Sequence, residues 1–193
     1  MLSSESLVMN NLDFLIQGGR AVLYPIYKGT YERQFELSTG NESKIARREH
    51  TIQWYQDFAR SIDYIFTRSD IDTNKIAYFG FSWGGRLGAL MTVLDDRIKV
   101  SILYVAGLNS DRPFPEIDDF NYVHRVSIPT LMLNGKYDAD FPYETSQKPF
   151  FELLGTSPEN KRHYLYESGH FVPRTELMKE SLHWLDQYLG PVQ

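Results

Sequence analysis

Short apolar runs alternate with longer segments of helical periodicity along this chain. Five runs are rich in apolar or aromatic residues and too short for helices, which is typical of buried strands. They lie at residues 21–25, 76–81, 100–106, 129–134 and 163–166. Because helical segments or long connections separate these runs, the pattern predicts an α/β fold in which helices flank a mostly parallel sheet.

The helical segments place apolar residues at intervals of three and four. The clearest segment begins at Ser43, where Ile52, Phe58 and Ile62 recur on one face. We predict helices at residues 6–16, 43–68, 83–94, 143–154 and 174–189, and a loop at residues 107–122. We find no repeat or linker, and 193 residues suit one domain with a substantial core. The sequence therefore predicts a single domain over residues 1–193.

A G-x-S-x-G motif joins the second predicted strand to the helix that follows it. Its residues are Gly80, Phe81, Ser82, Trp83 and Gly84. A serine on such a tight turn presents its hydroxyl above the end of the sheet, and glycines on both sides are expected to avoid collisions with the neighbouring elements. This is the pattern of the nucleophile elbow of α/β-hydrolases, and it predicts the backbone N–H of Trp83 as one oxyanion donor.

Serine chemistry requires further groups, because a hydroxyl needs a nearby base and the base needs a group that fixes its tautomer. Of the five histidines, His170 alone follows a predicted strand, in a loop with a glycine just before it. Asp138 and Asp140 follow the preceding predicted strand, and both are candidates for the acid. The order Ser, acid, His matches that of α/β-hydrolases.

Taken together, three segments resemble the dienelactone hydrolase and prolyl oligopeptidase-like branch of the α/β-hydrolases. They are the elbow at residues 80–85, the G-x-x-D-x-x-x-P spacing at residues 135–142 and the Gly-His loop at residues 169–170. The resemblance extends from about residue 6 to the C-terminus and favours Asp138 over Asp140 as the acid.

This resemblance implies a serine esterase, most simply a carboxylesterase. Ser82 is then the nucleophile that forms an acyl-enzyme, His170 is the base and then the acid, and Asp138 orients His170. The resemblance implies no metal and no organic cofactor. A prolyl oligopeptidase-like peptidase is one alternative, and a catalytically weak C-terminal module of a larger protein is another. Tyr27 and Tyr31, together with Trp83, are predicted to bind substrate.

The family fold has eight strands, and the run at residues 21–25 corresponds to the fourth when the strands are counted back from the elbow. The resemblance therefore implies an N-terminally reduced α/β-hydrolase fold. We expect the open edge to be repaired by pairing of this run with the elbow strand or by a homodimer. Gly18 and Gly19 follow a predicted helix, so we interpret them as its C-cap and not as a second oxyanion donor.

Composition narrows the possible partners. The net charge of −5, without a basic stripe, argues against nucleic acid or an anionic membrane as a partner. The resemblance implies a small-molecule ester as the substrate. The absence of cysteine excludes disulfides, thiolate catalysis and cysteine metal sites. Asp111, Asp118 and Asp119 match no metal-ligand spacing and are expected in a solvated acidic loop. The first residues lack the pattern of a signal peptide, so a cytoplasmic location is predicted.

Overall fold

The structure, a computed structural model, describes residues 12–33 and 43–192. These residues divide into two compact units. The first contains the described residues up to Thr73 together with Val192, and the second contains Asn74–Pro191. The single domain over residues 1–193 stays a prediction.

The described part of the first unit contains two helices, α1 (Asp13–Gln17) and α2 (Lys44–Ile65), and a 3₁₀ turn at Tyr31–Arg33. The predicted helix at residues 6–16 lies partly outside the described residues. Helix α2 begins where predicted, because the Ser43 hydroxyl caps it by accepting the Ala46 N–H at 3.1 Å.

Gly18 and Gly19 end helix α1, as expected. The N–H of Gly18 donates to the Phe14 carbonyl at 2.9 Å, and the N–H of Gly19 donates to the Ile16 carbonyl at 2.9 Å. Gly19 also has a φ of +79°, a left-handed conformation that favours glycine at the end of a helix.

The predicted strand at residues 21–25 does not form. These residues have irregular backbone, and the side chain of Leu23 is 42% exposed where a buried strand was expected. An apolar run becomes a strand only when a neighbouring strand takes up its backbone hydrogen bonds, and Pro25 has no N–H to contribute. The expected pairing of this run with the elbow strand is therefore wrong.

The second unit contains a four-stranded sheet, made of β1 (Ala77–Phe81), β2 (Val100–Tyr104), β3 (Thr130–Gly135) and β4 (Lys161–Tyr166). All neighbouring pairs are parallel, in the order β1-β2-β3-β4. The prediction of a parallel sheet flanked by helices is thus confirmed.

Helices connect and flank these strands. They are α3 (Trp83–Leu94), α4 (Phe120–Val123), α5 (Lys148–Leu153) and α6 (Arg174–Leu189). A π-helical turn at Tyr143–Gln147 leads directly into α5, where a single helix was predicted. Short 3₁₀ turns occur at Pro115–Ile117 and Pro158–Asn160.

The core of the second unit lies around the two central strands. Every residue of β2 and β3 is buried, which explains why their sequences read as continuous apolar runs without alternation. In the parallel register Phe81 lies opposite Tyr104, and Gly135 lies opposite Tyr166. The loops that follow β1, β3 and β4 therefore emerge at the same edge of the sheet.

The loop after β2 is only partly the solvated acidic loop that the sequence predicted, because Asp111 is exposed but Asp118 and Asp119 are not. Asp119 is buried and accepts from the Arg86 guanidinium at 3.2 and 3.3 Å. Asp118 is also buried and accepts from Arg112 at 2.6 Å. Carboxylates can be buried when each meets a charged, hydrogen-bonding partner, and here arginines supply that partner.

Among the described residues, no helix has both the length and the apolar content needed to cross a membrane.

Candidate active site

Ser82 lies on the turn between β1 and α3 in an unusual backbone conformation, with φ 51° and ψ −108°. Its N–H donates to the Tyr104 carbonyl of β2 at 2.9 Å, which ties the turn to the neighbouring strand. A non-glycine residue with positive φ is strained, and such strain persists only where the surroundings enforce it. The sequence motif thus produces the sharp turn expected of a nucleophile elbow.

The two glycines of the motif differ in their surroundings. A Cβ atom on Gly80 would lie 2.3 Å from the Gly84 carbonyl oxygen and 2.7 Å from the Tyr78 ring, so Gly80 allows the close approach of strand and helix. A Cβ atom on Gly84 would meet only the Tyr78 hydroxyl, at 3.8 Å. The expected collision at Gly84 is therefore wrong, because the helix leaves that side open.

Tyr78 of β1 stabilises the elbow through a hydrogen bond to the first turn of α3. The sequence did not indicate this role. The Tyr78 hydroxyl donates to the Gly84 carbonyl at 2.5 Å. Its ring lies so close to Gly88 that a Cβ there would approach within 3.0 Å of it. The glycines of α3 thus leave room for a tyrosine of β1 that holds the first turn of the helix.

The structure brings Ser82, His170 and Asp138 together from three loops. His170 Nε2 lies 2.9 Å from Ser82 Oγ, and His170 Nδ1 lies 3.0 Å from Asp138 Oδ2. A carboxylate at Nδ1 favours the tautomer with a proton on Nδ1, which leaves Nε2 free to accept the proton of the serine hydroxyl. This geometry can remove a proton from Ser82 and later return it to a leaving group.

Asp138 and Asp140, the two candidate acids, have different surroundings. The Asp138 side chain is fully buried, whereas that of Asp140 is 75% exposed and its carboxylate lies 3.5 Å from His170 Nδ1. The second oxygen of Asp138 accepts the backbone N–H groups of Asp140 and Phe141, at 2.9 and 3.1 Å. Both oxygens of the buried carboxylate are thus fixed, and it makes the shorter contact with His170.

Aromatic rings surround the imidazole of His170. Phe141 lies nearly parallel to it at 6.2 Å between centroids, and Phe81 and Phe171 lie at 5.8 and 5.5 Å. The His170 side chain is only 21% exposed as a result. Apolar walls exclude water from the imidazole, which strengthens its electrostatic contacts with the carboxylate.

Tyr104 of β2 lies beside the residue before the nucleophile, with its ring 5.0 Å from that of Phe81. Burial raises the pKa of the Tyr104 phenol, and the nearby backbone of Val172 partly opposes that rise.

The loops that carry Asp138 and His170 are packed directly against each other. A Cβ on Gly135 would collide with the backbone of Ser168 and Gly169, so only glycine permits this approach. The N–H of Lys136 donates to Tyr166 at 2.8 Å, and that of Tyr137 donates to Ser168 at 2.9 Å. These contacts fix the spacing between the two loops, and therefore between the acid and the base.

Gln147 is a buried support that sequence reasoning missed. It lies in the π-helical turn before α5, and its side-chain amide donates to the carbonyls of Gly135 at 2.8 Å and Phe141 at 2.7 Å. These two carbonyls lie on either side of Asp138 in the chain. A glutamine in a helical segment resembles a surface residue in the sequence, so only the tertiary structure reveals this role.

The residues predicted to bind substrate lie in both units. Trp83 follows the nucleophile, its ring is 44% exposed and it packs on the Arg86 guanidinium at 4.9 Å. In the first unit, the hydroxyl of Tyr24 lies 3.2 Å from that of Tyr31, and burial raises the pKa of Tyr27. Substrate binding by Tyr27, Tyr31 and Trp83, like the oxyanion role of Trp83, stays a prediction.

One group of three potential metal ligands occurs among the described residues. Its members are Asp138, Asp140 and His170, whose ligand atoms lie within 4.8 Å of one another. Two of them are also the acid and base of the arrangement above, and Asp138 already uses both of its oxygens in hydrogen bonds. The geometry therefore suits proton transfer through His170 directly.

Solved structures with a similar fold include several esterases. An acetyl xylan esterase from Paenibacillus sp. R4 is 21% identical, with a TM-score of 0.62 over 72% of this chain and 54% of that one. A cold-adapted esterase from an Arctic intertidal metagenomic library, in its native structure, is 24% identical, with a TM-score of 0.57 over 73% of this chain and 59% of that one.

A proposed dienelactone hydrolase from Klebsiella pneumoniae is 19% identical, with a TM-score of 0.61 over 72% of this chain and 62% of that one. The chain thus spans between about half and two thirds of the length of these three proteins. At such identities the likeness shows the fold, which confirms the resemblance to α/β-hydrolases.

Sequence comparisons add the family. The search of curated proteins finds no significant match. The profile of the serine hydrolase (FSH1) family matches residues 28–182, which include Ser82, Asp138 and His170. Since this match covers most of the sequence, the chain belongs to the serine hydrolase (FSH1) family.

Proposed function

We propose that this protein hydrolyses carboxylic esters through an acyl-enzyme on Ser82. The observation that carries the proposal is the position of His170, with Nε2 at 2.9 Å from Ser82 Oγ and Nδ1 at 3.0 Å from Asp138 Oδ2. Nucleophile, base and orienting acid are thus within hydrogen-bond distance of each other, as acyl transfer to serine requires. Membership of a serine hydrolase family supports the same reaction class.

In the first half of the reaction, Ser82 Oγ attacks the ester carbonyl carbon while its proton passes to His170 Nε2. A new C–O bond forms, and the carbonyl electron pair moves to the oxygen. When this intermediate collapses, the bond to the alcohol oxygen breaks and Nε2 gives its proton to the departing alcohol. Asp138 stabilises the positive charge that His170 carries between these two events.

In the second half, water takes the place of the alcohol. His170 Nε2 removes a proton from the water, whose oxygen attacks the acyl carbon, and the same proton returns to Ser82 Oγ as the acid product departs. The Trp83 N–H would stabilise the negative oxygen in both halves. Trp83 directly follows the nucleophile and is the first residue of α3, at the end of the helix where the helix dipole is positive.

Two esterases among the structural relatives support an ester as the substrate. His170 and Asp138 would serve an ester bond or a peptide bond, so the distinction depends on the substrate site and not on the triad. The experiment must therefore distinguish an esterase from a peptidase of the prolyl oligopeptidase type.

The proposal is tested with a fluorophosphonate probe and a panel of p-nitrophenyl esters. Ser82→Ala should abolish labelling and lower ester turnover at least about a thousandfold. Ser69→Ala is the matched control, because it removes the same hydroxyl from an exposed residue of the first unit and should leave both unchanged. Turnover by Ser82→Ala at the wild-type rate would contradict the proposal. Faster cleavage of prolyl p-nitroanilides than of esters would favour the peptidase.

A further inference from the structure

A second carboxylate approaches the same nitrogen of His170 that Asp138 binds. Asp140 Oδ2 lies 3.5 Å from Nδ1, compared with 3.0 Å for Asp138 Oδ2. We infer that Asp140 is a second positioning residue for His170, an auxiliary acceptor for the Nδ1 proton beside Asp138. This inference rests on the proposed function, because it concerns the base of that reaction.

The backbone holds Asp140 in place for this role. Asp138 Oδ1 accepts the N–H of Asp140 at 2.9 Å and the N–H of Phe141 at 3.1 Å, which closes a tight turn around the buried carboxylate. Gln147 fixes the Phe141 carbonyl at 2.7 Å, and the Phe141 ring lies beside the imidazole. Asp140 therefore lies in a turn that is fixed by hydrogen bonds, and its carboxylate is directed at His170 Nδ1.

The two carboxylates differ in their contact with water. The Asp138 side chain is fully buried, so its charge acts on His170 with little screening, whereas that of Asp140 is 75% exposed. Exposed ion pairs contribute little and are weakened by salt. In the wild-type protein, Asp140 should therefore stabilise the imidazolium only modestly, by about two- to fivefold in kcat at low salt.

Asp140 becomes more important when Asp138 is changed. In Asp138→Asn the amide oxygen can still accept the two backbone N–H groups, so the turn is preserved. The amide nitrogen then faces Nδ1 as a donor and favours the wrong imidazole tautomer. In that variant, the Asp140 carboxylate can still accept the Nδ1 proton. A fraction of the molecules then keeps His170 in the tautomer that can accept the Ser82 proton.

The experiment is a double-mutant cycle on p-nitrophenyl butyrate hydrolysis, with Asp138→Asn, Asp140→Asn and the double variant. Asp140→Asn alone should lower kcat about two- to fivefold and leave KM unchanged. In the Asp138→Asn background the same change should cost at least about tenfold. Equal losses in the two backgrounds, or no loss in either, would overturn the inference. Asp96→Asn, an exposed acid before β2 at the opposite end of that strand, is the control for charge and should change neither background.

Salt dependence gives a second readout that does not need Asp138→Asn to fold. The ratio of wild-type to Asp140→Asn kcat should approach one at about 1 M NaCl, because the Debye length falls to roughly 3 Å there. A loss that is independent of salt, or an unchanged kcat at low salt, would overturn the inference. Failure of the proposed function looks different: Asp138→Asn and Ser82→Ala would then hydrolyse the ester as fast as the wild type.

Discussion

The atoms closest to Gly80 and Gly84, on either side of Ser82, determine whether a side chain fits at each position. Gly80 and Gly84 occupy equivalent places in the G-x-S-x-G pattern, but their surroundings differ. Gly80 faces the carbonyl oxygen of Gly84 and the Tyr78 ring, whereas the nearest atom to a Cβ on Gly84 is 3.8 Å away. The motif thus combines a glycine that the packing requires with one that the packing does not.

Replacing each glycine with alanine should separate these cases. Gly80→Ala should destabilise the protein by about 2 kcal/mol or more, since strand and helix must move apart, and should lower ester turnover by displacing Ser82. Gly84→Ala should fold at least as well as the wild type and gain up to ~1 kcal/mol, because alanine favours helix over glycine. Urea unfolding of the two variants, with ester turnover, measures both effects. Equal destabilisation by both substitutions would contradict this account of the elbow.

Among single residues, the sequence indicated the side chains that belong to a known motif. It did not indicate the side chains that hold them in place. Ser82 and His170 could be predicted to lie together because each follows a predicted strand, in the chain order of α/β-hydrolases. The sequence favoured Asp138 over Asp140 through a family resemblance alone, and the folded loop shows that the Asp138 side chain is buried whereas that of Asp140 is exposed. Tyr78 and Gln147 act through contacts between elements, and a local sequence pattern does not encode such contacts.

Strand β4 contains a histidine whose surroundings make this element sensitive to acid. The His163 ring lies 5.3 Å from the Phe151 ring and 6.3 Å from the Tyr143 ring, and its buried Nε2 has no hydrogen-bond partner. Burial lowers the pKa of His163 from 6.5 to about 4. The folded protein therefore keeps this imidazole neutral over a pH range in which the unfolded chain binds a proton.

Stability should consequently fall as pH decreases from about 6.5 to 4, because protons then favour the unfolded chain. The full contribution is present above pH 6.5, and a pKa difference of this size corresponds to a loss of up to ~3 kcal/mol below pH 4. His163→Phe should remove this part of the pH dependence of the free energy of unfolding. Urea unfolding at a series of pH values measures it.

The control is His183→Phe, since His183 is an exposed residue of α6. It should retain the wild-type pH dependence, because it leaves the His163 imidazole and its surroundings unchanged. If His163→Phe and the wild type lose stability in parallel between pH 6.5 and 4, the assignment of acid sensitivity to β4 is wrong.

Elements were predicted best where they are continuous and buried or strongly periodic. The central strands β2 and β3 are buried at every position, and α6 covers the residues expected from its periodicity. The run at residues 21–25 has the same apolar character but no hydrogen-bonding neighbour, and it does not form a strand. Composition alone cannot supply that neighbour, so the prediction failed there.

For the molecule as a whole, the parallel sheet explains why residues far apart in sequence meet. Ser82, Asp138 and His170 follow β1, β3 and β4, and parallel strands place all three carboxyl ends at the same edge. Their chain order and their positions after strands were therefore sufficient to predict that Ser82, His170 and an aspartate lie close together. The distances between them depend on contacts such as that of Gly135 with Gly169, which required the structure.

The central claim is that ester cleavage proceeds through a covalent bond to Ser82. The most direct measurement is to quench a reaction with a slowly deacylating p-nitrophenyl carbamate, determine the mass of the intact protein and map the modified peptide. We predict a single adduct of the carbamoyl mass on Ser82, absent from Ser82→Ala and formed much more slowly by His170→Ala. Release of p-nitrophenol with no adduct, or with the adduct on another residue, would contradict the account.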